Sequence, residues 1–190
     1  MSYTPQHILN SMNCTQDWLL DVGQTKTFEE FQEALKKCLE GGGKILAFGN
    51  GGSATEASHF VGEIVGKCKD DNGAWPAISL NDSPALLTCI SNDWDFDYVF
   101  QRQLEALLAP IDFVIGFTTS GSSKNVINAL NYSNERGATT SLWTSKKCPP
   151  INLVGQYNII APTLETTLTQ ELHLLLIHVA SLYLEDNIKR

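Results

Sequence analysis

The sequence is poor in basic residues and has no hydrophobic run long enough to cross a membrane. Its 190 residues contain 13 Lys and Arg against 21 Asp and Glu, a formal net charge of −8 at pH 7. This deficit of positive charge argues against sequence-independent binding to nucleic-acid phosphates or to anionic lipids. No apolar stretch approaches the roughly 20 residues of a membrane-spanning helix, and the first residues lack the features of a secretory signal. We therefore expect a cytoplasmic protein that binds neither nucleic acid nor membrane.

Cysteine pairs are missing as well. The five cysteines are widely spaced and form no C-x-x-C motif. An odd number at such spacing is typical of reduced packing thiols rather than of disulfides or a structural zinc site. Hydrophobic residues make up 43% of the chain and charged residues 18%, so there is enough apolar surface for a packed core.

Short apolar runs alternate with amphipathic stretches along the chain. The runs predict strands at 44–48, 77–80, 113–117, 139–143 and 157–160. Helices are predicted at 6–20, 28–40, 53–67, 84–90, 97–108, 123–136 and 166–184. This alternation predicts an α/β fold, a doubly wound five-stranded parallel sheet of flavodoxin-like order 2-1-3-4-5.

The two leading helices, within residues 1–42, form an N-terminal helical extension without a sheet of their own. Their apolar stripes predict that they pack against another subunit or against the sandwich. No linker interrupts the chain, so we expect residues 1–190 to form one domain.

Two loops rich in glycine and hydroxyl groups follow the first and third predicted strands. They contain Gly49, Asn50, Gly51, Gly52 and Ser53 in the first, and Thr118, Thr119, Ser120, Gly121, Ser122 and Ser123 in the second. In the predicted strand order both loops face one pocket. Backbone N–H groups, a helix start and hydroxyls can hold a phosphate ester without lysine. The alternative is that these residues only make tight turns and helix caps.

Polar side chains on two distant helices complete the candidate set. His59 and Glu63 are four residues apart and share a helix face, which suits a metal ligand pair or a surface hydrogen bond. Gln170 and His178 lie in a long apolar helix, where a polar group is either a satisfied core residue or a ligand. His173 points about 140° away from His178, which indicates a packing or interface role.

The segments GNGGSATEASHFVGEIVG, SNDWDF, TTSGSS and LTQELHLLLIH, in this order, resemble the sugar isomerase (SIS) family and within it the phosphoheptose isomerases. The resemblance runs over nearly the whole chain. The two loops alone would mark only the broader fold. His59 and Glu63 together with Gln170 and His178 are more specific to the isomerase branch.

This resemblance implies a homotetramer with active sites at subunit interfaces and one zinc ion per subunit. The ion would be held by residues that match His59, Glu63, Gln170 and His178. The implied reaction converts sedoheptulose 7-phosphate to D-glycero-D-manno-heptose 7-phosphate through an enediol, for heptose biosynthesis. Glu63 and His178 match the residues that transfer protons.

The resemblance also implies how the sugar phosphate is held. The sugar hydroxyls would contact Asn50, Gly51, Gly52, Ser53, Asn92 and Asp93. The phosphate would be held by Thr118, Thr119, Ser120 and Ser123. Gln170 would orient the sugar, and Glu63 would contact it as well.

Several positions depart from the family pattern and leave the exact sugar open. Lys67 stands where arginine is common, Trp94 replaces part of an aromatic-glycine pair, and Thr167 stands where an acidic residue is frequent. Residues 144–150 replace a glycine-rich loop. A related phosphosugar is one alternative. The other is a non-catalytic phosphosugar-binding or replication-initiator-binding regulator, which is expected to lack one of His59, Glu63 and His178.

Overall fold

A computed structural model describes residues 3–70 and 73–188. The helices in these residues are α1 (Tyr3–Leu20), α2 (Val22–Glu40), α3 (Gly52–Val65), α4 (Pro84–Asp93), α5 (Gln101–Leu107), α6 (Lys124–Glu135) and α7 (Thr166–Asn187). The strands are β1 (Ile45–Gly49), β2 (Ala77–Ser79), β3 (Phe113–Phe117), β4 (Thr139–Ser145) and β5 (Tyr157–Ala161). Short 3₁₀ turns occur at Phe96–Tyr98 and Pro150–Asn152. Among the described residues, no helix is long and apolar enough to span a membrane.

The five strands form one parallel sheet in the order β2-β1-β3-β4-β5. This order confirms the predicted α/β architecture. β1 and β3 are neighbours, and Gly49 at the end of β1 lies beside Phe117 at the end of β3. The loops that follow these strands therefore leave the same edge of the sheet side by side, as expected at a topological switch point.

Two predicted helix starts are wrong. Helix α2 begins at Val22 rather than at residue 28, because the Asp21 side chain accepts a hydrogen bond from the Gln24 N–H and caps the helix six residues earlier. Residues 97–100 do not belong to α5. The Asp95 side chain accepts from the Asp97 N–H instead, which begins a 3₁₀ turn.

The sheet is buried between two helical layers. One face packs against α2, α3 and α7, and the other against α4, α5 and α6. On the first face, the Phe31 ring lies 5.4 Å from Trp143 and 5.5 Å from Phe113, both in edge-on geometry. Helix α2 is thus anchored on the sandwich by aromatic contacts, while α1 packs on α2 and α7.

Asp112 holds the amino ends of β1 and β3 together. This edge of the sheet is opposite to the two glycine- and hydroxyl-rich loops. Its side chain is 1% exposed and accepts hydrogen bonds from the Lys44 N–H, the Lys44 ammonium and the Ala109 N–H, at 3.0, 2.6 and 2.7 Å. Since a buried carboxylate needs such partners, this cluster fixes the register of two central strands.

We predict that Asp112→Asn lowers the free energy of unfolding by about 2 kcal/mol, because the amide replaces one charged acceptor with a donor. Urea denaturation measures the loss. The matched control is Asp70→Asn, whose carboxylate pairs with Lys69 on the surface and should contribute less than about 0.5 kcal/mol. Equal losses in the two variants would contradict the role given to Asp112.

Candidate functional site

The first ligand loop turns sharply out of β1 into α3. Gly51 has a φ of +58°, a left-handed conformation that favours glycine, and α3 begins at the next residue. The Asn81 side chain accepts from the Gly49 N–H at 3.1 Å and donates to the Gly49 carbonyl at 2.9 Å. Asn81 thereby satisfies the end of β1 and fixes where the loop starts.

The second ligand loop gathers hydroxyl groups between β3 and α6. Thr118 Oγ1 lies 3.0 Å from Ser123 Oγ and 3.4 Å from Ser120 Oγ, and Ser122 Oγ donates to Ser120 Oγ at 3.0 Å. Ser123 precedes α6 without capping it through its side chain. The loop therefore offers hydroxyls beside a helix N-terminus, an arrangement suited to an anion.

The two loops are tied to each other by a pair of amides. Asn50 and Asn125 exchange two side-chain hydrogen bonds, at 2.9 and 3.0 Å. Asn125 is 2% exposed and lies in the first turn of α6. Sequence reasoning named Asn50 but missed Asn125, whose only signal is a polar residue at a buried helical position.

Residues 145–152 support the second loop by hydrogen bonds and packing. Ser145 Oγ donates to the Thr119 carbonyl at 2.6 Å, and Asn152 Nδ2 donates to the Gly121 carbonyl at 2.8 Å. Gly121 has a φ of +63°, and a Cβ there would lie 2.2 Å from Cys148 Sγ. Residues 145–152 are therefore in close contact with the loop and restrict what residue 121 can be.

His59, Glu63 and His178 meet where α3 lies against α7. His59 Nε2 is 3.0 Å from His178 Nε2 and 3.5 Å from Glu63 Oε1. One donor atom from each residue lies within 4.8 Å of the other two. Two imidazole nitrogens and a carboxylate oxygen are ordinary ligands of divalent transition metals. These three residues can therefore hold a metal ion.

Gln170 reaches the same region from α7 and contacts the first loop. A Cβ on Gly52 would lie 2.3 Å from Gln170 Nε2, so the amide rests directly on this glycine. Gln170 and His59 line one cavity of about 430 Å³. The remaining residues around this cavity are Gly52, Thr55, Glu56, Thr167, Glu171 and Leu174.

Asn92 and Asp93 do not line this cavity in the described residues, and the same holds for Glu63, for His178 and for the hydroxyl residues of the second loop. They end α4 and are both exposed. Within the described segments, their side-chain hydrogen bonds are with each other and between Asp93 and the Cys89 thiol. Of the departing positions, Thr167 lines the cavity, Lys67 is exposed beyond α3, and the Trp94 ring stacks with Arg102.

Two further residues near the cluster escaped sequence reasoning. Glu56, one turn before His59, is 6% exposed and lies 3.3 Å from the ring of His173. The pKa of the Cys68 thiol is raised to about 12, mainly by burial and next by a hydrogen bond with the Glu63 carboxylate. Cys68 is therefore a weakly reactive thiol near neutral pH.

Comparisons with known proteins agree on one family. A model described as SIS domain matches residues 17–145. The chain is 43% identical over 158 residues to the phosphoheptose isomerase of Thermodesulfovibrio yellowstonii, covering 83% of this chain and 79% of that protein.

Solved structures give the same picture. The phosphoheptose isomerase of Neisseria gonorrhoeae superposes with a TM-score of 0.87 at 32% identity, covering 95% of this chain and 96% of that one. The phosphoheptose isomerase of Francisella tularensis superposes with a TM-score of 0.90 and covers 96% of both chains. At 23% identity this second likeness concerns the fold.

We predict that His178→Ala weakens the binding of a divalent cation by at least about 100-fold, because it removes one donor of the three. Titration with Co²⁺, followed by visible absorption, measures the affinity. The control is His7→Ala, an imidazole on α1 that pairs with Glu171 outside the three-residue cluster. Equal Co²⁺ affinities for wild type and His178→Ala would show that these side chains do not form a metal site.

Proposed function

The chain belongs to the phosphoheptose isomerases of the SIS-domain family, and from this premise we propose the reaction that it catalyses. It is an aldose–ketose isomerase that converts sedoheptulose 7-phosphate to D-glycero-D-manno-heptose 7-phosphate for heptose biosynthesis. The observation that carries the proposal is the meeting of His59, Glu63 and His178, with His59 lining one cavity together with Gly52 of the first loop. A sugar phosphate would lie with its phosphate on the second loop and its reacting carbons near this cluster.

The phosphate is bound by the hydroxyls and N–H groups of the second loop rather than by lysine. Thr118 Oγ1 lies within hydrogen-bonding distance of both Ser120 Oγ and Ser123 Oγ, so the three hydroxyls can turn together toward one anion. Thr119 contributes its backbone and hydroxyl. The start of α6 adds a partial positive charge.

The sugar hydroxyls are bound by the first loop and by Gln170. Gly51 and Gly52 let the ligand approach the backbone closely. Asn125 holds the Asn50 side chain in place, and the amide hydrogen of Asn50 that Asn125 does not use is available to a sugar hydroxyl. Ser53 lies at the start of α3. Gln170, resting on Gly52, orients the carbon chain toward His59.

The isomerisation moves a proton between two neighbouring carbons and shifts the carbonyl with it. Glu63 removes the carbon-bound proton and returns it to the adjacent carbon, since a carboxylate that is 18% exposed is accessible and only partly solvated. His178 exchanges protons with the oxygens on the other side of the enediol. The two groups are held near each other by His59.

One zinc ion per subunit fits the donor set of His59, Glu63 and His178, with the Gln170 amide as the fourth and less usual ligand. When bound, zinc supplies Lewis-acid polarisation of the substrate oxygens and stabilises the negative charge of the enediol.

The protein acts as a homotetramer with sites at subunit interfaces, and residues 1–190 form one SIS domain whose leading helices pack in the oligomer. Two features support this. Helix α1 exposes large apolar side chains, among them Met12 at 63% and Leu20 at 68%. In the described residues of one chain, Asn92 and Asp93 are exposed at the end of α4, which leaves their side chains open to contact sugar in an adjoining subunit's site. The net charge and composition favour a cytoplasmic location without nucleic-acid or membrane partners.

We predict that the wild-type protein loaded with Zn²⁺ converts sedoheptulose 7-phosphate, whereas Glu63→Gln loses about 100- to 10,000-fold in kcat, because the amide cannot accept the proton. NMR of the sugar carbons follows the product. Folding and phosphate affinity should persist in this variant. The control Glu105→Gln changes a carboxylate paired with Arg102 on α5 and should keep full activity.

Two results would contradict this assignment. Retained turnover in Glu63→Gln would remove Glu63 from the role of base. Tight binding of the sugar phosphate by metal-loaded wild type without any conversion would identify a non-catalytic phosphosugar-binding regulator instead.

We predict that the wild type is a particle of four 20.9 kDa chains, about 84 kDa, in light scattering. Met12→Glu combined with Leu19→Glu should give smaller particles, because both exposed side chains of α1 would carry charge into an apolar interface. Ile151→Glu, at a side chain that is 87% exposed on a 3₁₀ turn, is the matched control and should leave the mass unchanged. A monomeric wild type would refute the tetramer.

A further inference from the structure

A buried acid–base pair joins α3 to α7 beside the metal-binding cluster. Glu56 on α3 is 6% exposed and His173 on α7 is fully buried. Glu56 Oε1 approaches His173 Nδ1 to 3.3 Å, yet neither carboxylate oxygen nor Nδ1 has a hydrogen bond among the described residues. Buried ionisable groups rarely lack hydrogen bonds, so the burial of this pair calls for an explanation.

The hydrogen bonding of His173 fixes how the pair must interact. His173 Nε2 lies 3.2 Å from the Thr144 carbonyl oxygen, and since a carbonyl only accepts, Nε2 carries a proton. In a neutral ring Nδ1 would then turn a lone pair toward the Glu56 carboxylate. A proton between His173 Nδ1 and Glu56 Oε1 makes this contact attractive, and the pair then carries no net charge.

The imidazole ring has little freedom to turn away from Glu56. The His173 ring packs edge-on against Trp143 at 5.5 Å and against Phe117 at 6.0 Å, both part of the buried core on the sheet. The ring is therefore positioned by the sheet, and through Glu56 it positions α3. The contact links the sheet to α7 and α7 to α3, the helix that follows the first loop.

The pair lies among the residues proposed to bind zinc. Glu56 is one turn before His59, and His173 comes between Gln170 and His178 on α7. One residue of an α-helix rises about 1.5 Å, whereas the donor atoms of His59, Glu63 and His178 lie within 4.8 Å of one another. A slide of α3 along α7 by a single residue would shift Glu56 relative to His173, and it would shift His59 and Glu63 relative to His178.

We propose that Glu56 and His173 are positioning residues that set the register of α3 against α7 and so hold the zinc ligands in binding geometry. The pair acts through His59, Glu63, Gln170 and His178, with no contact of its own to the metal. Buried ion pairs often add little to stability compared with apolar residues, and they are better attested as devices that specify register. The inference rests on the proposed zinc site but not on the identity of the sugar.

The test compares zinc binding in wild type, Glu56→Gln and Glu56→Asp, with Asp112→Asn as the control. Glu56→Gln keeps the shape and removes the charge; Glu56→Asp keeps the charge and shortens the reach. Competition with a chromophoric chelator gives the zinc dissociation constant, and the Co²⁺ absorption spectrum reports ligand geometry. We expect zinc affinity to fall at least about tenfold in Glu56→Gln, less in Glu56→Asp, with an altered Co²⁺ spectrum. Asp112→Asn loses stability at the opposite edge of the sheet and keeps both properties.

A merely structural role gives a different result. If Glu56→Gln unfolds more easily yet binds zinc within twofold of wild type with the same Co²⁺ spectrum, the inference is overturned. If Glu56→Gln does not fold, Glu56→Asp decides in the same way. A wild type that binds no zinc overturns the inference whichever sugar it isomerises. A wild type that binds zinc but converts no sedoheptulose 7-phosphate refutes the proposed function and leaves this comparison intact.

Discussion

Helix α7 packs along α3 through apolar side chains, and the site depends on this contact. Phe60 and Ile64 of α3 belong to the same buried cluster as Leu172 and Ile177 of α7, and each such side chain contributes about 1.5–3 kcal/mol on burial. The polar residues at the border of this contact are different. His59, Glu63 and His178 are partly exposed, so water could solvate them equally well. Their convergence across 119 residues of sequence therefore follows from the apolar contact rather than from attraction among themselves.

The sheet supplies the second half of the site through strand order alone. Because β1 lies between β2 and β3, its loop is flanked by Asn81 after β2 and by the hydroxyl loop after β3. The Asn50–Asn125 pair then joins the loops across the switch point. Neither loop needs a cation for this arrangement, and a chain with net charge −8 can accept a phosphate because fixed N–H dipoles and hydroxyls carry the attraction locally.

Sequence reasoning predicted the strand order and the fold class because buried parallel strands and amphipathic helices leave periodic patterns. It missed Glu56 and Asn125 for a common reason. A helical pattern tells which face is buried, but a polar residue on that face has its partner far along the chain, 75 residues away for Asn125 and Asn50. The hydrophobic pattern did not predict the early start of α2, because this start depends on the Asp21 cap rather than on periodicity. Asn92 and Asp93 came from resemblance, and one chain by itself leaves them away from the cavity.

The residues that end and follow β4 show how a neighbouring segment can hold a loop in place. Ser145 donates a hydrogen bond to the Thr119 carbonyl, and Asn152 donates one to the Gly121 carbonyl. Both carbonyl oxygens of the second loop therefore face this segment. Across a trans peptide the C=O of one residue and the N–H of the next point in opposite directions. The N–H of Ser120 therefore points away from Ser145. Cys148 packs directly against Gly121 and leaves no room for a side chain at that position. These contacts thus restrain the second loop, whereas Thr167 and Gln170 of α7 line the cavity that borders Gly52 of the first loop.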